Sequence, residues 1–198
     1  MKKGEESRQR LICCAAELFW KNGYSATGIS EILKQCELPK GSFYFYFKSK
    51  DELATEVITY YQNILLEHFQ KLSVEKSWED FINAAFDYLL NRTGDQTFSG
   101  CPLAVMGMET ALSKPEIAAK YMDALKQFEH LFYRVLIQSG LPHDHAEILS
   151  QRFLAVYQGE ILLGRISGNI SYLETARENL IEMYKEYCAF HKIKGGFS

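Results

Sequence analysis

Helix breakers are scarce in this 198-residue chain, and between them apolar residues recur every three or four positions, which commits it to folding as a series of helices. Only Pro39, Pro102, Pro115 and Pro142 interrupt the pattern, and no stretch shows the alternation of a half-buried strand. The expected class is all-α, with about nine helices.

Start and stop signals divide the run. A first helix is expected over 7–22, burying Leu11, Ala15, Leu18 and Phe19 on one face and closing at Gly23. The Thr27 hydroxyl is suited to cap a short second helix that buries Ile29, Ile32, Leu33 and Cys36. Pro39 then opens a third helix over 40–47, where its missing N–H has no partner to lose. Ser49 and Glu52 read as a capping box for a long fourth helix to about residue 72, with Leu53, Val57, Tyr60, Tyr61, Ile64, Leu65 and His68 facing inward. Similar start pairs stand at Ser77 with Asp80, Ser113 with Glu116 and Ser171 with Glu174. Gly100 and Pro102 bracket a short helix through Leu112, and Gly140 with Pro142 ends the one that begins near Pro115. The last two helices, over 143–167 and 171–191, form a hairpin through Gly168 and Asn169.

Charge narrows the function. Residues 1–50 hold nine basic against five acidic side chains, a surplus of four positive charges, so the rest of a chain with net charge −3 carries −7. A cationic front on an anionic body favours phosphate contact at one end and discourages indiscriminate coating of nucleic acid. The start of the chain lacks an apolar signal core and no apolar run approaches a bilayer's thickness, so a cytoplasmic protein without membrane contact is expected. The cysteines Cys13, Cys14, Cys36, Cys101 and Cys188 are odd in number and lack zinc spacing, so reduced thiols, no metal site and no cofactor are expected.

The most specific signal runs from Thr27-Gly28-Ile29-Ser30 through Leu38-Pro39-Lys40-Gly41-Ser42-Phe43-Tyr44-Phe45-Tyr46-Phe47 to Lys48-Ser49-Lys50-Asp51-Glu52-Leu53. Two short helices joined by a tight turn let the second enter a major groove while the first braces it. Gly41 and Ser42 keep the leading surface small, and Lys40 can reach a phosphate or a guanine edge. Lys50 and Thr27, at helix starts, are placed to attract further phosphates. The stretch resembles the DNA-binding segment of the TetR/AcrR family of transcriptional repressors. That resemblance implies that of Tyr44 and Tyr46, two positions apart, one packs inward and the other reaches a phosphate; Tyr46 is taken as the phosphate contact, and Phe43, Tyr44 and Phe47 as mainly core. The candidate DNA-contacting set is Thr27, Lys40, Gly41, Ser42, Tyr44, Tyr46 and Lys50. Where the family commonly has Gly in the turn this chain has Glu37, whose left-handed conformation would cost roughly 1 kcal/mol.

The resemblance further implies a division into a helix-turn-helix domain over 1–50 and a ligand-binding and dimerisation domain over 51–198. Aromatic and methionine side chains of the body can line an apolar cavity, and Tyr60, Trp78, Phe81, Cys101, Met106, Phe128 and Phe132 are the candidate ligand-binding residues. Cys101 directly precedes a helix, whose dipole favours thiolate, which makes it the candidate reactive thiol. Phe153, Val156, Tyr157, Ile161, Leu180 and Tyr184 of the terminal hairpin are the candidate homodimer interface, the arrangement that lets two readers meet successive major grooves of a palindrome. The function expected is a repressor bound to a double-stranded operator and released by a small apolar or thiol-reactive effector. A ligand-independent adaptor is the alternative. An all-α enzyme is disfavoured, since no histidine or cysteine stands in a base, orienter and nucleophile constellation.

Overall fold

The computed structural model describes residues 3–93 and 100–193. Among them the order is α1 (Lys3–Asn22), α2 (Ile29–Gln35), a 3-10 turn (Lys40–Ser42) leading into α3 (Phe43–Tyr46), α4 (Lys50–Ser73), α5 (Trp78–Thr93), α6 (Pro102–Thr110), α7 (Pro115–Gln138), α8 (His143–Ser167) and α9 (Ser171–His191), with no strand. The all-α class and the helix count follow the sequence. The chain forms two compact units, one from residues up to 65 together with 102–125, the other from 66–101 together with residues from 126 on.

In the first unit α1 buries Leu11, Ile12, Ala15, Ala16 and Phe19, and the same core takes Ile32, Leu33, Phe43, Phe47, Leu53 and Val57. Full burial of side chains of this size contributes roughly 1.5–3 kcal/mol each, enough to hold helices as short as α2 and α3 that could not persist alone. Local signals behave unevenly. Gly28, not Thr27, is the N-cap of α2 and offers no side-chain bond; the Thr27 hydroxyl is fully buried and donates to the Gly23 carbonyl at 2.7 Å. The capping box of α4 is half formed: Glu52 N–H donates to Ser49 Oγ, but the Glu52 carboxylate takes the N–H of Lys48 rather than that of Ser49. Ile64, expected inside, is exposed.

In the second unit α9 packs against α8 and α5. Trp78, at the start of α5, is fully buried, stacked on Phe153 at 4.6 Å between ring centroids and edge-on to Phe132 at 5.5 Å. Its indole N–H donates to the Leu180 carbonyl, and its backbone N–H to Ser139 Oγ, so the ring is fixed at both ends. Ser77 and Asp80 bond each other at the start of α5 as expected, whereas Ser171 lies inside α9 and its N–H is taken by Asn169 Oδ1.

Glu37 does adopt the left-handed conformation, with φ +51, and the turn keeps its hydrogen bonds from Glu37 N to Lys34 O and Leu38 N to Leu33 O. The side chain is exposed, so Cβ strain has no compensating contact. Glu37→Gly is therefore expected to raise stability by about 0.5–1 kcal/mol, the relief of strain less the extra backbone entropy of glycine. Urea unfolding at pH 7 reads this directly, and a destabilised variant would contradict it.

Candidate nucleic-acid interface

The reading segment is an outward surface on an inward frame. Phe43 and Phe47 are buried and in contact at 5.9 Å between centroids, which fixes one side of the turn formed by 40–47. Between them Tyr44 is 69% exposed and Phe45 80% exposed, and Lys40 and Gly41 are exposed as well. Tyr44 is thus not core, although it flanks the buried side and its ring meets Phe43 edge-on at 5.3 Å between centroids; the position opposite Phe43 and Phe47 is Phe45. Tyr46 is only half-buried, and its hydroxyl lies toward α1, 3.9 Å from where a Cβ on Gly4 would stand.

Two candidate phosphate contacts are otherwise engaged. The Thr27 hydroxyl points into the protein and presents nothing outward. The Lys50 ammonium donates to the carbonyls of Tyr24 at 2.9 Å and Thr27 at 3.1 Å, and lies 4.3 Å from the Tyr24 ring centroid. Burial lowers the Lys50 pKa, with Asp51 and Glu109 opposing that fall. Lys50 braces the α1–α2 connection with two of its three N–H donors, and its side chain is half-buried.

That connection is held from a second side. The Glu109 carboxylate, on α6, accepts the backbone N–H groups of Tyr24 and Ser25, both at 2.7 Å. Gly23 has φ +93, and a Cβ there would stand 2.8 Å from the Glu109 oxygen, so the carboxylate approaches only because the position is glycine. Asp51 accepts the Tyr24 hydroxyl and the Lys114 ammonium, the latter at 2.7 Å. These two bonds, Lys114 first, hold the Asp51 carboxyl below the usual range, and burial with the Asp51 contact pushes the Tyr24 phenol above its own. Neither Glu109 nor Asp51 was among the candidate residues. Glu109 is 85 residues from its partner, and no local pattern carries that pairing. Phe45 was also missed, although the spacing of Phe43 and Phe47 already implies that it faces outward.

Comparison with known proteins places this geometry. The family model for bacterial regulatory proteins of the tetR family matches residues 11–57, and that for the C-terminal domain of LmrA/YxaF-like transcriptional regulators matches 79–179. The HTH-type transcriptional regulator YxaF of Bacillus subtilis is 31% identical over 164 residues, 80% of this chain and 84% of the relative. The chain belongs to the TetR family of transcriptional regulators. The HTH-type transcriptional repressor NemR of Escherichia coli is 35% identical over 187 residues, covering 86% of this chain and 90% of the relative. Its reduced form is similar in structure, with a TM-score of 0.75 over 88% of this chain and 95% of that one. A TetR regulator of Chloroflexus aurantiacus gives 0.77 at 29% identity over 91% of this chain and 94% of that one. The protein is therefore a DNA-binding transcriptional regulator. No described helix is long and apolar enough to cross a membrane.

The residues expected to line an effector site in this TetR-family regulator are divided between the units. Trp78, Phe81, Cys101, Phe128 and Phe132 belong to the second and Tyr60 and Met106 to the first. Trp78, Phe81 and Phe132 form one buried ring cluster, and Met106 is buried with its sulfur accepting the Tyr121 hydroxyl. Cys101 is half-buried just before α6, and Gln158 Nε2 donates to its sulfur at 3.7 Å. Four of the six expected interface residues, Phe153, Ile161, Leu180 and Tyr184, are buried within the second unit's own core. They cannot be presented to a partner. Val156 and Tyr157 are half-buried.

Two outcomes follow from the clamp on the α1–α2 connection. Glu109→Ala leaves two N–H groups without their acceptor, and is expected to destabilise by about 1–3 kcal/mol and to speed amide exchange at Tyr24 and Ser25; unchanged protection would refute the clamp. Asp51 has a folded pKa below its unfolded value of about 3.9, so its contribution is complete above that pH and fades as pH falls through the folded value. The stability difference between the parent and Asp51→Asn should be largest near neutrality and shrink on acidification, as urea melts across that range would report.

Proposed function

We propose that this chain is a repressor that binds a palindromic operator as a homodimer and is released by a small apolar or thiol-reactive effector, with residues 1–50 reading DNA and 51–198 sensing and dimerising, in the cytoplasm. The observation that carries the DNA half is the exposed surface of Lys40, Gly41, Tyr44 and Phe45 on a frame locked by Phe43 and Phe47. Lys40 supplies charge, Ser42 and the hydroxyls of Tyr44 and Tyr46 supply phosphate donors, and Gly41 permits close approach. The printed name of NemR, a repressor, supports the direction of regulation.

The dimer reading moves to a different face of the terminal helices. Leu163 and Ile166 of α8 are exposed, Ile166 at 73%, and Gly159 has open space where a Cβ would be. With Gly159 they make an apolar patch near the end of α8 that a second copy would cover. Two readers roughly 34–36 Å apart would then meet successive major grooves.

For the effector, Gln158 Nε2 donates to the Cys101 sulfur at 3.7 Å, which sets a polar group beside the candidate reactive thiol, and burial, with Cys101 nearby, raises the Tyr157 phenol above its usual range. The effector must bind the released state better than the DNA-bound one, since equal affinity shifts nothing.

Operator capture from genomic fragments followed by fluorescence anisotropy tests the proposal. Lys40→Ala should weaken binding and reduce the salt slope by about one. Ile166→Glu should give monomers in sedimentation analysis and lose operator affinity while remaining folded. If electrophiles release DNA from Cys101→Ser as readily as from the parent, the thiol is no sensor. A monomeric parent indifferent to duplex sequence would end the whole reading.

A further inference from the structure

Phe45 is the most exposed aromatic side chain of the reading segment, and the least explained by phosphate contact. Isolated exposed apolar side chains are ordinary. This one lies at the centre of the surface that meets DNA, on a turn whose backbone is fixed by Phe43 and Phe47. The Tyr46 ring meets it edge-on, with centroids 4.9 Å apart, which leaves the rest of the phenyl ring outward. Gly41, four residues earlier, lies about one turn away on the same side of the segment, and nothing stands within 4 Å of where its Cβ would be. The protein interior therefore does not require glycine there; the space is kept open on the outside. The outer surface of the segment thus presents one projecting apolar ring, with open space about one turn before it.

A phenyl ring offers no donor and no acceptor, so it can bond neither a phosphate oxygen nor a polar base edge. The apolar feature that a major groove displays is the C5-methyl group of thymine. Resting on the DNA-reading proposal above, we infer that Phe45 packs against a thymine methyl in each operator half-site and thereby selects thymine at that position. Lys40 and the tyrosine hydroxyls fix the register; Phe45 supplies sequence discrimination without a hydrogen bond.

The test uses the full-length protein and a randomised duplex library. In the selected duplex each thymine is replaced in turn by deoxyuridine, which keeps every hydrogen-bonding atom and removes only the methyl group. At one position per half-site the parent should bind about four-fold more weakly, the loss expected for one buried methyl, and symmetric replacement should compound the two losses. Phe45→Ala should bind the methylated duplex more weakly and be indifferent to deoxyuridine at that position, while Phe45→Tyr, which keeps the ring, should retain the sensitivity. Thermal melts confirm that both variants fold. If the selected duplex has no thymine that distinguishes the parent from Phe45→Ala, this inference is overturned and DNA reading stands. If no duplex is enriched at all, DNA reading falls with it.

Discussion

The Glu109 carboxylate on the two backbone N–H groups of Tyr24 and Ser25 is the interaction on which the reading segment depends. The connection between α1 and α2 exposes both donors and acceptors that no helix can satisfy. Its donors are met by a carboxylate from α6 and its carbonyls, at Tyr24 and Thr27, by the ammonium of Lys50 from α4. Charge-assisted bonds of opposite sign thus grip one loop from two helices. Since α2 begins directly after that loop, the grip sets where the helix that braces the reader starts.

This arrangement changes how the basic surplus of the N-terminal segment is used. Lys50 is spent on backbone carbonyls, Lys21 pairs with Glu17, Arg8 pairs with Glu56, and Arg10 reaches the Cys36 carbonyl. Lys34, Lys40 and Lys48 are exposed and make no ion pair among the described residues. These three can meet phosphates directly, while uncharged side chains beside them carry contacts of shape. An exposed pair of aromatic side chains at Tyr44 and Phe45 is consistent with that balance.

Helix period and punctuation made most of the fold legible: the bounds of α8 and α9 and the role of Gly168 follow from local residues alone. What local residues could not reveal was competition between partners. Thr27 has the chemistry of a cap, yet the helix begins one residue later with Gly28 as its N-cap, and the Thr27 hydroxyl turns inward to donate to the Gly23 carbonyl. Lys50 has the chemistry of a phosphate ligand, yet two of its three N–H donors go to backbone carbonyls. Glu37 was read as strained, and the strain is present because both turn hydrogen bonds are retained. Four of the six expected interface residues, Phe153, Ile161, Leu180 and Tyr184, lie in the chain's own core for a different reason. A helix in a terminal hairpin is apolar on two sides, and period alone does not say which side meets the chain's own Trp78.

That same aromatic core constrains how an effector can act. Trp78 is held at its indole and its backbone N–H and packed by Phe81, Phe132 and Phe153, so a purely apolar ligand gains little there without displacing side chains that already bury one another. The edge near Cys101 is different. Gln158 gives its N–H to the thiol, while its carbonyl oxygen is buried without a hydrogen-bond partner among the described residues. An acceptor left in that state destabilises the unliganded form by an amount that a donor-bearing or thiol-modifying molecule would recover on binding. The polar edge, not the ring cluster, is where differential affinity between two states is most readily generated.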